Sequence, residues 1–532
     1  MEKLYYGGNI ITMKDESDAV EAVLVKDGKI LFCGDCSEAE KMCTDSTEKI
    51  NLEGRTLMPS FIDPHGHISM MAQFSAFCDL SECNCFDDVT AELKKWKEEK
   101  QIGADDVIIG CNYDHNFLIE QRHITRDELD EVSTDIPIFV LHTSGHMGVG
   151  NSRMLELAEI DDSTPDPYGG KFGRDDNGRL TGYVEESPAL TIVLMKAYQR
   201  YQGDLSKQMV DAQNTYFKYG ITTVQDGATA MLTLQGLTAA AKAGLYKLDV
   251  VSYVMTEDFE KAREEYPEFY GKYSGRLKIG GAKIVLDGSP QGKSAWLSRP
   301  YEGEGDYCAY PTHTTEEVEE ASLNAVKGNY QLLAHCNGDA ASQQFIESYK
   351  KALDIAGTAE KMDLRPVMIH CQTVREDQLD EMAKLRMIPS IFVAHTFYWG
   401  DIHLKNLGAE RGNRISPVRS AMEKGLVYNF HQDSPVVKPD VMHTVWCAVN
   451  RITRNGQHIG TEQTIDVYDA LKGVTINCAY EYHEEDIKGS IEEGKLADLV
   501  ILDKNPLTVD KMSIRDIKVL ETIKEGNTVY KK

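Results

Sequence analysis

From residue 221 to residue 433 the chain repeats one pattern: a short strand-like run, then a helix-like segment. The runs are 221–226, 248–254, 282–287, 332–335, 367–370, 388–393 and 426–433, and helix-like segments such as 315–327, 341–356 and 375–384 separate them. An earlier run opens at Leu57 and Met58 and continues through Phe61 and Ile62. Counting it, there are eight strand-and-helix units, the arithmetic of an α/β fold of the (β/α)8 TIM barrel type. A doubly wound open sheet is the alternative. It would usually carry a glycine-rich phosphate loop after its first strand, and the sequence has none there.

The two ends of the chain read differently. Residues 1–57 alternate short strands and turns, with an Asp27-Gly28 hairpin signal, and residues 485–532 repeat that texture. Chain termini commonly lie close together, so these two stretches are expected to form one small β-sandwich domain. The barrel then occupies 58–484. Within it, 68–205 mixes helical patterns (88–100, 126–131), short strands (107–110, 137–141) and a Pro/Gly/Asp-rich loop, and reads as an insertion after strand one.

A formal net charge of -28 argues against nucleic acid or an anionic membrane surface as partner, since both repel an acidic protein. The twelve cysteines show no disulfide or zinc-finger framework; Cys33-x-x-Cys36 and Cys83-x-Cys85 lack a second pair. The first residues contain no basic segment followed by an apolar one, and no apolar run approaches the roughly 20 residues that span a bilayer. A cytoplasmic protein acting on a small molecule is the expectation.

Polar residues fall at the ends of the strand runs, where such barrels build their active sites. Strand one ends in His65-Gly66-His67, whose imidazoles share a face because side chains at i and i+2 of a strand do. Lys283 lies on strand four, His335 and His370 end strands five and six, and Asp433 ends strand eight. Each alone has a plain reading: a core histidine, one arm of an ion pair, a helix cap. Together they would converge on the barrel axis. Four imidazoles, a carboxylate and a lysine exceed the needs of one tetrahedral ion and suit two divalent metals, zinc foremost, which activate water and polarise a carbonyl. An aspartate touching both metal and hydroxide can carry the proton to a leaving nitrogen. Cys336 and Cys371, one residue past a histidine, should turn away from the axis, and His431 should sit one layer deeper than Asp433.

These motifs resemble the metal-dependent amidohydrolase superfamily, nearest the branch of YtcJ-like proteins and N-substituted formamide deformylases. The matching segments are 58–67, 220–226, 283–289, 335–339, 433–436 and 494–500. The resemblance implies that His65 and His67 bind one metal, that His335 and His370 bind the second, and that Lys283, N6-carboxylated, bridges them. It makes Asp433 both ligand to the first metal and general base. Glu186 in the insertion is a rival acidic ligand, and one-metal variants of the superfamily exist. Where the family has a small residue before the strand-eight aspartate, this chain has Gln432. His395, Tyr113 and His146 are candidates to line the substrate pocket. A homodimer is compatible with the resemblance.

The function expected from this reading is hydrolysis of a carbon–nitrogen bond outside peptides, in a small amide, formamide or cyclic amide. A deaminase or esterase on the same site, or a barrel that has lost catalysis and only binds ligands, are the alternatives.

Overall fold

The barrel runs pair in the order in which they occur. The computed structural model describes residues 2–115, 118–143, 147–201, 203–357 and 363–532. One eight-stranded sheet contains β1 (Phe61–Ile62), β2 (Ile221–Thr229), β3 (Asp249–Met255), β4 (Leu277–Val285), β5 (Gln331–Cys336), β6 (Val367–His370), β7 (Ile388–Ile391) and β8 (Asn429–Phe430), in that order. Every neighbouring pair is parallel. Beyond the last ladder the two edges meet: Asp433 N–H donates to the His65 carbonyl at 3.2 Å and His67 N–H to the Ser434 carbonyl at 2.8 Å. The sheet thereby curls into an α/β, TIM-like barrel. Its interior packs Ile62, Val251, Tyr253, Leu333, Val367, Ile369 and Ile388 against Cys478, Ala479 and Tyr482, which belong to or follow the helix Ile476–Glu481.

Local chemistry sets where the outer helices start and stop. Thr314 caps Thr315–Gly328 in a capping box with Glu317, and the helix ends at Asn329 in the left-handed region (φ 53°). Asp339–Ala356 likewise stops at Gly357, φ 62°.

The opening run is not one barrel strand. Thr56–Pro59 pairs antiparallel with Leu499–Leu502, and only Phe61–Ile62 joins the barrel. The partner changes between adjacent residues, as Ser60 N–H donates to the Asp498 carbonyl and Phe61 N–H to that of Gly220. Pro59, with no N–H of its own, falls where the first ladder ends.

Two further sheets are built from the ends of the chain, the first from N-terminal strands alone and the second from both ends. One holds Glu2–Tyr6, Ala22–Lys26, Lys29–Gly34 and Glu48–Asn51; the other holds Asn9–Ile10, Thr56–Pro59, Leu499–Leu502, Val519–Lys524 and Asn527–Lys531. A single apolar cluster draws Tyr5, Val23 and Val25 from the first and Leu57, Leu499 and Ile523 from the second. Asp27 and Gly28 both take positive φ (50° and 82°), as a two-residue hairpin turn of this type requires.

Residues Met70–Asp211 form a second unit. Its six strands make one sheet in the order Lys171–Arg174, Leu180–Glu185, Met147–Gly150, Ile138–His142, Ile108–Tyr113, Cys78–Asp79. Two apolar clusters serve it: one takes Phe139 with Ala189 and Val193 of the helix Glu186–Arg200, and the other takes Ile138 with Val89 and Leu93 of Phe86–Lys100. Neighbouring residues of the strand Ile138–His142 thus feed opposite clusters, as strand alternation dictates. Among the described residues no helix is long and apolar enough to cross a membrane.

Candidate metal centre

The carboxyl ends of β1, β4, β5, β6 and β8 bring the candidate side chains together. His67 Nε2 lies 3.1 Å and His65 Nε2 3.6 Å from Asp433 Oδ1. The His65 ring is 5.3 Å from that of His67 and 5.6 Å from that of His370, which is 4.4 Å from His335. Two of these residues hold left-handed backbone, His370 at φ 77° and Asp433 at φ 55°. Non-glycine residues in that region cost of order 1 kcal/mol or more, and such strain clusters at functional sites.

Each imidazole has its outer nitrogen occupied. His65 Nδ1 meets Gln225 Oε1 at 2.6 Å, and His67 Nδ1 meets the Gly227 carbonyl at 2.6 Å. Both oxygens only accept, so both Nδ1 atoms carry a proton and both Nε2 atoms face inward, available to a cation or, for His67, to a proton shared with Asp433. Asp287 holds His335 Nδ1 at 3.1 Å, while its own oxygens accept N–H groups of Trp296, Asn337 and Gly338. His431 sits behind His370, Nε2 to Nδ1 at 3.1 Å, and its other nitrogen meets Ser390 Oγ at 2.9 Å. Such outer partners fix tautomer and ring plane in metal sites.

The inner atoms of His65, His67 and Asp433 all lie within 4.8 Å of one another. Two lone pairs and a carboxylate oxygen repel unless a proton or a cation stands among them. That donor set fits a divalent transition ion. Lys283 adds a second unfinished feature: its amine is buried and has no hydrogen-bond partner among the described residues. Burial pulls it down to about 8, bringing the neutral amine within reach near neutrality.

Burial, reinforced by neighbouring Lys283, holds His65 well below the usual imidazole range, and burial with His335 does the same to His370. Burial also works against the charge on His67, but its bond to Asp433 and that residue's charge outweigh it and raise His67. Asp433 is held well below the carboxylate range: burial opposes its charge, yet His67, His370 and His65 prevail.

The remaining expected residues take the following positions. His395 opens the short helix His395–Tyr398 after β7, is buried, and stacks on His403 with Nδ1 to Nε2 at 3.1 Å. Tyr113 and Glu186 belong to the second unit; Tyr113 donates to or accepts from His123 Nδ1 at 3.0 Å, and Glu186 is exposed at the start of Glu186–Arg200. His146 lies outside the described residues. Cys336 Sγ points to the Ala341 carbonyl at 3.8 Å, in the helix Asp339–Ala356.

Gln225 and Asp226, inside β2, and Asp287, two residues past β4, are further functional residues; they fall at the ends of the sequence runs 221–226 and 282–287, where the strand-end criterion applied to the histidines would have found them. Asp226 accepts Ser69 N–H at 2.9 Å and the Thr229 hydroxyl at 2.7 Å, bracing the turn beside His67.

The sequence profile of the Amidohydrolase family matches residues 48–530. The chain is 25% identical to a putative amidohydrolase, YtcJ, of Bacillus subtilis (strain 168) over 544 residues, all of both chains. It is 26% identical to the N-substituted formamide deformylase of Arthrobacter pascens over 540 residues, 98% of this chain and 97% of that one. An uncharacterised metal-dependent hydrolase from Pyrococcus horikoshii OT3 superposes with a TM-score of 0.77 at 24% identity, covering 96% of this chain and 99% of the other.

Proposed function

The chain belongs to the amidohydrolase family and is a hydrolase of carbon–nitrogen bonds; from that premise we propose that its substrate is a small amide, formamide or cyclic amide. One observation carries the reading: the inward Nε2 atoms of His65 and His67 converge with the Asp433 carboxylate at the barrel mouth. His65, His67 and Asp433 would hold one divalent ion, and His335 and His370 a second. Lys283 would serve both after its neutral amine adds carbon dioxide, losing a proton and gaining a carboxylate. Zinc is the ion such nitrogen and oxygen donors suit. When bound, the metal pair supplies Lewis acidity toward water and toward the substrate carbonyl.

The rest is the work of side chains. Gln225, Gly227 and Asp287 keep three imidazoles in the tautomer that leaves Nε2 bare. Asp433 stays ionised, takes a proton from the attacking water and returns it to the leaving nitrogen, so that an amine departs neutral. Asp433→Asn keeps size but removes the proton acceptor. It should lower kcat by about 10²–10⁴-fold on whichever amide, formamide or lactam of a test panel the wild type cleaves. Wild-type turnover by this variant would refute the role of Asp433. Ammonia released from heterocyclic amines, with no amide cleaved, would move the substrate assignment to deamination.

A further inference from the structure

We propose that the second unit carries a mononuclear site for a zinc-class divalent ion, built by Asp114, His115 and His142. Parallel neighbouring strands deliver them. Asp114 and His115 follow Ile108–Tyr113, His142 ends Ile138–His142, and a register shift after Val140 sets His142 opposite Tyr113. Both strand ends thus present donors at the same edge of the sheet.

The three donor atoms make a triangle: His115 Nδ1 to His142 Nε2 is 3.2 Å, His142 Nε2 to Asp114 Oδ1 is 3.4 Å, and His115 Nδ1 to Asp114 Oδ1 is 3.8 Å. A tetrahedral ion bound at about 2.0–2.1 Å spaces its ligand atoms by about 3.3 Å, so little movement is needed to seat one. Without metal, a single proton on His142 Nε2 can serve both neighbours; a divalent ion replaces that proton and engages all three atoms. The site is set into the protein rather than spread on its surface, with His142 buried and its two partners half-buried. His123 backs it, its ring 4.0 Å from that of His115 and its Nδ1 engaged by the Tyr113 hydroxyl at 3.0 Å. Two imidazoles and one carboxylate leave a coordination position for water or a small ligand, and this composition favours zinc or a neighbouring first-row ion over calcium or magnesium.

No residue of this triad belongs to the barrel centre, so the two sites can be separated experimentally. Full-length protein is stripped with chelator, reloaded with Zn²⁺, desalted and assayed for retained zinc, and crystals of the loaded protein are measured on both sides of the zinc edge. We expect an anomalous peak among His115 Nδ1, His142 Nε2 and Asp114 Oδ1. His142→Ala should retain one fewer zinc ion per chain than wild type, and His65→Ala/His67→Ala should keep the triad's peak. Peaks at the barrel with none at the triad, or a His142→Ala protein retaining the wild-type amount, would overturn the proposal. His115→Ala, at a less buried position, gives the same readout should His142→Ala fold poorly.

Discussion

Glu481 closes the helix Ile476–Glu481 with its side chain fully buried, its oxygens reached by Asn429 Nδ2 at 2.6 Å and Gln225 Nε2 at 3.5 Å. Burial pushes this carboxyl from 4.5 up to about 8, with nearby Lys283 pulling the other way. Because the folded chain holds the proton that the unfolded chain releases above 4.5, this group lowers stability progressively as pH rises from 4.5 to 8. Glu481→Gln keeps the acceptor for Asn429 and abolishes the titration. The metal-free variant should match wild type below pH 4.5 and gain on it through that window, by about 4 kcal/mol at pH 8, in melting temperatures taken across the range. A constant offset at all pH values would show that Glu481 does not titrate there. Nothing local in the sequence marks this residue. His65, His67, Lys283, His335, His370 and Asp433 were legible because each ends or lies on an apolar run, whereas Glu481 enters the barrel interior from a helix beyond the last strand.

The strands themselves were legible in proportion to their length. β2 through β6 are buried along almost their whole length, and β3 through β6 read as mostly apolar runs, while β2 also buries Thr222, Thr223, Gln225 and Asp226. The short elements were not legible: the run 426–433 yields a ladder only at Asn429–Phe430, and the opening run divides between two sheets. Those outcomes depend on partners hundreds of residues away, which no local pattern encodes. The same dependence makes the β4–β5 contact testable. Gly281 lets these strands approach so closely that an added Cβ would stand 2.2 Å from the Gln331 carbonyl oxygen. That register aligns Lys283 with Leu333 and Val285 with His335. Gly281→Ala must spread the pair, so it should cost about 1–3 kcal/mol in thermal unfolding and reduce the metal retained after desalting. Unchanged melting and metal content would mean that the strands part without disturbing the residues they carry.

At the scale of the molecule, a buried ion network ties the terminal strands to the barrel. Lys524, at the end of Val519–Lys524, reaches Asp249 Oδ2 at 2.6 Å and Asp498 Oδ2 at 2.7 Å; Lys488 reaches Asp249 at 2.6 Å and Glu484 at 3.0 Å. All of these side chains are buried. Burial alone would raise Asp249, but Lys488 and Lys524 hold it below the usual carboxylate range. Its stabilising contribution is therefore present above the unfolded value near 4 and fades as pH falls below it. Lys524→Met strips Asp498 of its only ion-pair partner among the described residues, leaving the Glu525 N–H at 2.9 Å. An uncompensated buried charge costs about 3–5 kcal/mol, whereas replacing a whole pair by apolar groups is often neutral. Lys524→Met should therefore melt well below wild type at pH 7, the gap should narrow in acid, and adding Asp498→Leu should restore much of the loss. Because the network spans both regions, the terminal strands and the barrel should lose structure in one transition. A double variant no more stable than Lys524→Met would show that the lysine acts through packing rather than charge.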